Sequence, residues 1–75
     1  MGTEITNPDI ENLKTVMPYY LKHNKEHIKD ITKWLQKADD SELNEVVTNL
    51  KKVIQLSEEI SNCFEDTIKK LEAYQ

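Results

Sequence analysis

Between residues 43 and 71 the apolar positions recur at alternating intervals of four and three. Leu43, Val47, Leu50, Ile54, Phe64, Ile68 and Leu71 mark the stripe, with Ser57 and Ser61 standing in its two gaps. Such spacing lays one face along a helix and suits coiled-coil-like packing. It predicts a long helix from about Ser41 to about Ala73, roughly 50 Å at 1.5 Å per residue. Val46, Val53 and Ile60 widen the stripe. Glu65 with Lys69, and Asp66 with Lys70, are outward pairs in the favoured order.

The first half reads as two shorter pieces. In "TNPDIENL", Asn7 can cap, Pro8 suits the first helical position, and Asp9 and Glu11 favour the positive end of the dipole. Ile10, Leu13, Val16 and Met17 then give a short apolar stripe, so a short helix is expected over 7–17 behind a flexible segment 1–6. Pro18 cannot donate to the Lys14 carbonyl and clashes with it, which predicts a fresh helix over 18–37. "ADDSE" at 38–42 is dense in cap residues, with Asp39, Asp40 and Ser41 all suited to start the next helix. So short a connection forces an antiparallel hairpin.

Pairing through that loop sets residues opposite when their numbers sum to about 80. The second helix would then pack through Tyr20, His23, His27, Ile31 and Trp34, with His23 near Ser57 and His27 near Val53. A polar layer of His23 and Ser57 is the expectation. A single hairpin leaves one side of the long helix wet, and small cores need a staple. The fold class is therefore all-α: an antiparallel helical hairpin with a short N-terminal helix, dimerising into a helical bundle. A compact three-helix monomer, with 8–17 folded back on the long helix, is the alternative.

Composition narrows the function classes. The one glycine of the 75 residues is Gly2, so phosphate-cradling loops and dinucleotide fingerprints are excluded. The net charge of −4 divides into −2 over residues 1–17, +1 over 18–40 and −3 over 41–75. All ten basic residues are lysines, and acids interrupt the cluster at 22, 25, 29, 33 and 37. Without a basic face or the arginine fork, nucleic acid is not an expected partner. Nor is a membrane, since no apolar run nears the roughly 20 residues that span one. "MGTEIT" fits the myristoylation pattern formally, but nothing basic follows to reinforce a single acyl chain. Cys63 stands alone in an apolar pattern, as a small core residue would. These features describe a chain of the reducing cytoplasm.

Chemistry gathers in "MPYYLKHNKEHIKDITKW", residues 17–34, which holds both histidines, two of three tyrosines and the tryptophan. Histidines four apart on a helix can aim both imidazoles at one cation. Asp30 follows His27 by three and Glu26 adjoins it, so carboxylate ligands are at hand. Two ligands do not close a site, and a second copy across a dimer axis would bring four imidazoles together. The plainer reading makes both histidines hydrogen-bonded boundary residues of a bundle. Tyr19, Tyr20 and Trp34 read as packing anchors.

The segment "PYYLKHNKEH" with Trp34 resembles a signature of small helical domains of unassigned function from archaea and anaerobic bacteria. That signature runs Pro-His-Trp-x-x-His-Asn-x-x-His, with a Trp seven residues after the last His. Pro18, His23, Asn24, His27 and Trp34 match in type and spacing, over about a quarter of the chain. Tyr19 and Tyr20 depart from it, standing where the signature has His and Trp. Similar segments accompany a CooT-like small nickel-binding protein in some chains, so the resemblance implies transition-metal handling and puts a ligand at position 19 in question.

No enzyme is expected. Neither Ser57, Ser61 nor Cys63 has a His and a carboxylate in a triad-like arrangement, and the Glu-x-x-His pattern of di-iron bundles is absent. The reading that results is a non-enzymatic homodimeric module binding nickel, zinc or copper through His23 and His27, with Asp30 or Glu26 assisting. Its competitor is a dimerisation or protein-interaction module with structural histidines.

Overall fold

A computed structural model describes residues 7–74, and the segment expected to be flexible, 1–6, lies outside the described residues. Two helices make up the fold: α1 over Asn7–Asp40 and α2 over Asn44–Leu71. They lie antiparallel, in a rod 57 Å long and 18 Å across. The expected all-α hairpin is what forms.

α1 is continuous where the sequence predicts two helices, and Pro18 sits inside it. A proline there costs about 3 kcal/mol in a helix without tertiary support. Here both flanks of Pro18 are held against α2. Upstream, Ile10 is buried and Lys14 Nζ donates to the Tyr74 carbonyl at 2.8 Å. Downstream, Tyr20 meets Phe64 with ring centroids 6.2 Å apart. Pro18 itself is exposed, so its ring displaces nothing from the packed face. Residues 8–17 thus lie along the long helix as the opening turns of α1, not as a third helix folded back.

The loop differs as well. α1 runs through two of the three residues expected to cap the next helix, Asp39 and Asp40, and ends in paired backbone bonds: Leu43 N–H to Ala38 C=O at 3.0 Å and Glu42 N–H to Asp39 C=O at 3.0 Å. This is a Schellman stop, and it requires a left-handed residue. Glu42 fills that position with φ of 60°, where glycine would sit without steric cost. α2 then starts at Asn44 rather than Ser41. Its N-cap is Leu43, which makes no side-chain cap bond, although its carbonyl accepts from Val47 N–H at 2.9 Å.

The longer α1 shifts the register. Asn24 meets Ser61 and Tyr20 meets Phe64, pairs whose numbers sum to 85 and 84 instead of 80. It also rotates the seam. α2 packs through the stripe expected from its spacing except at Leu43, which is exposed at the N-cap; Val47, Leu50, Ile54, Ser57, Ser61, Phe64, Ile68 and Leu71 are half-buried or buried. α1 packs through Ile10, Met17, Leu21, Asn24, Ile28, Ile31, Leu35 and Ala38, one residue round the helix from the expected face. Of the five residues expected there, Ile31 alone belongs; Tyr20, His23, His27 and Trp34 are exposed.

The core is thin. Ile10, Ala38 and Val47 are the buried hydrophobic residues among those described, and Ser61 is the buried polar one at 5% exposure. Cys63, expected in the core, is exposed. Of the two outward ion pairs expected on α2, Asp66–Lys70 forms, with Nζ 2.8 Å from the carboxylate. Hydrogen bonding to Asp66, then its charge, raises the Lys70 ammonium above its ordinary value.

Candidate metal centre

Asn24 explains why the two serines interrupt the apolar stripe of α2. Its side-chain amide donates to the Ser57 carbonyl and to the Ser61 hydroxyl, both at 2.8 Å. The polar layer expected from His23 and Ser57 is therefore built by the next residue along. A buried hydroxyl finds its partner, and a lone amide in an apolar seam fixes register. The sequence carries the signal: Asn24 stands three from Leu21 and four from Ile28, in phase with the α1 seam.

With Asn24 turned inward, its neighbours His23 and His27 fall on the outer surface. Both are exposed, and their Nε2 atoms lie 3.0 Å apart. The rings meet edge to face, with centroids 4.5 Å apart and planes at 88°. In the metal-free pair one imidazole donates and the other accepts. Tyr19 lies nearly parallel to the His23 ring at 6.0 Å and also touches Tyr20 at 5.9 Å. The phenol that stands where the resembling signature has a histidine is thus a flank to the pair.

The separation has a coordination meaning. At about 2.1 Å from each nitrogen, an ion bridging two atoms 3.0 Å apart would see them at about 90°. That is the cis angle of square-planar or octahedral sites; a tetrahedral ion would need the nitrogens a few tenths of an ångström wider. The two carboxylates do not complete the set within one chain. Among the described residues, no three His, Cys, Asp or Glu side chains gather closely enough to hold an ion. Glu26 sits about 100° round the helix from His27, and Asp30 is about 10 Å along the axis from His23.

The histidines share their face with apolar groups. Next to the loop a groove is lined by Trp34, Ala38, Leu43, Val46 and Leu50, and Lys37 Nζ lies 4.6 Å over the Trp34 ring. Farther along, Tyr20, Val53, Leu56 and Ile60 are exposed. The opposite edge of the hairpin is charged, with Lys25, Glu58 and Glu65 around a groove over Ile28 and Ser61. No helix among the described residues is long and apolar enough to cross a membrane.

No curated protein and no solved structure matches this chain. Residues 13–71, which take in the histidine pair, the inner seam from Met17 onward and all of α2, match the family described as Domain of unknown function (DUF8180), and the chain belongs to that family.

Proposed function

We propose that this chain is a small, non-enzymatic module that holds a divalent transition metal through the Nε2 atoms of His23 and His27. The observation that carries the reading is their 3.0 Å separation on an exposed helix face, which puts both nitrogens within reach of one ion once the rings turn from their mutual hydrogen bond toward it. Such a pair removes the ordering cost of bringing two ligands together, and each imidazole need only give up a proton or a hydrogen bond. Imidazole ligands suit nickel, copper or zinc. The resemblance of residues 18–34 to a signature that accompanies CooT-like nickel-binding proteins puts nickel first among the ions to test. Asp30 and Glu26 are candidates for assisting from outside the immediate pair. A free, exposed Cys63 suits a reducing, cytoplasmic setting.

The test is thermal unfolding of metal-free protein with and without Ni, Cu or Zn, beside His23→Ala/His27→Ala. A free-ion concentration a hundredfold above the dissociation constant stabilises the native state by about 2.7 kcal/mol. A shift that the double variant loses supports the site, and its affinity should fall as pH drops, because imidazole must be neutral to bind. No shift with any ion would sink it.

A second reading has its own observation. Among the described residues nine large hydrophobic side chains are exposed, including Trp34 at 57% and Tyr19 at 62%. That favours an association module, in which the face bearing the histidines is covered by another helical surface.

A further inference from the structure

Two heptad-spaced stripes run along α1. One is the seam with α2. The other consists of Tyr20, His23, His27, Asp30, Trp34 and Lys37, exposed and again at intervals of three and four, and its spacing continues N-terminally into the half-buried Val16 and Leu13. The spacing of this stripe, though not its residue types, is the same from both ends, and the two histidines stand at its centre. Reversed about residue 25, Val16 exchanges with Trp34, Tyr20 with Asp30, Leu13 with Lys37, and His23 with His27. Residue 25 is also close to the middle of α1, which spans 7–40.

We infer that a second copy of this chain covers the outer stripe, with the two α1 helices antiparallel about a twofold axis at residue 25. The two histidine pairs then meet on the axis as a four-imidazole site for one nickel or copper ion. The shared ion rests on the metal reading above; the pairing of the helices does not.

Each cross-pair is chemically sound. The Trp34 indole lies over Val16, the Tyr20 hydroxyl can donate to Asp30, and the Lys37 stem can cover Leu13 while its ammonium stays wet. A twofold axis in the plane of the face and across the helices is the arrangement that sets mid-length residues against their own copies. It also overlaps the two rods almost end to end. A face 57 Å long and 18 Å wide offers on the order of 1,000 Å², above the ~800 Å² per partner of a standard interface. The exposed Val53, Leu56 and Ile60 of α2 fall on the same side and add to it. The two cis nitrogens of one chain leave the rest of a coordination sphere empty, and the second pair fills the remaining equatorial positions.

Val16→Cys with Trp34→Cys, on a Cys63→Ser background, tests the register. Within one chain the two cysteines stand about 27 Å apart along the helix, so they can close only between copies. Mild oxidation is expected to give a covalent dimer, and a control with Leu13→Cys and Trp34→Cys is expected not to. Sedimentation equilibrium of the unmodified chain should give twice the 8.8 kDa chain mass, with one nickel bound per two chains. Trp34→Glu should be monomeric and still helical by circular dichroism, and His23→Ala/His27→Ala should stay dimeric without nickel. A monomer at about 100 µM with and without nickel, or a control that closes as readily as the test pair, overturns the inference. One nickel on each monomer overturns it while leaving the metal reading intact. A dimer of the right register that binds neither nickel, copper nor zinc overturns the shared site and the metal reading together, leaving the helix pairing as the surviving half.

Discussion

The inner and outer stripes of α1 have the same spacing and differ in everything else. The inner one is Ile, Leu, Met and Ala around a single Asn, and α2 covers it. The outer one, from Tyr20 to Lys37, is Tyr, Trp and two His among charged residues, and each of its side chains is exposed. A branched aliphatic stripe packs at close range against a helix of its own kind, while rings and imidazoles stand farther out with polar atoms to satisfy. Geometry alone allows either stripe to be the seam. The choice is made with the partner helix, where the Ser57 carbonyl and the Ser61 hydroxyl both accept from the one Asn24 amide.

Substitutions that strike one stripe and spare the other break this comparison, and the largest effect belongs inside. Val47→Asp puts a carboxylate at a buried position of the α2 seam, and should cost about 3–5 kcal/mol. In so small a core that means loss of most helical circular dichroism at 25 °C. Asn24→Ala leaves the Ser61 hydroxyl and the Ser57 carbonyl without their shared donor. About 2 kcal/mol should go, measured as a lower urea midpoint. Restoring an apolar layer with Asn24→Leu and Ser61→Ala should return most of that stability. If Asn24→Ala proved neutral, the polar layer would not be holding the hairpin.

Glu42 belongs to neither stripe and calibrates both. Glycine there removes the cost of a left-handed φ but loosens the unfolded chain, so Glu42→Gly should raise stability by about 0.5–1 kcal/mol. The smallest effect belongs outside. In metal-free protein dilute enough to be monomeric, His23→Ala/His27→Ala should change stability by less than about 0.5 kcal/mol, because both rings are exposed on the single hairpin. A loss of 2 kcal/mol or more from the same double variant would mean that the outer stripe is as structural as the inner one.

The seam was half legible in the sequence. On α2 the period of the aliphatic positions settles the packed face, and even the serines in the gaps announce a polar partner. On α1 the aromatic residues count as apolar in any periodicity, so they draw the inferred seam one residue round the helix, toward Tyr20 and Trp34. Asn24 escapes notice for the converse reason, since an amide adds nothing to an apolar pattern. The histidine pair was legible from its spacing, because four residues bring two side chains to one side of any helix. Its outward aim was not, since direction depends on which stripe α2 covers.

By itself the sequence determined that the chain is helical, that it turns back between residues 38 and 44, and that His23 and His27 share a side of one helix. Those are local matters of propensity, period and spacing, settled within a few turns. Tertiary structure decided the rest. Contacts on both sides of Pro18 carry α1 through a residue that would end it in isolation. The Schellman stop at Glu42 lengthens α1 and moves the register from 80 to about 84. Asn24, bonded to two serines 33 and 37 positions away, fixes which face turns inward and so leaves both imidazoles open to a ligand. Those choices weigh contacts between distant parts of the chain, and no window of neighbouring residues contains them.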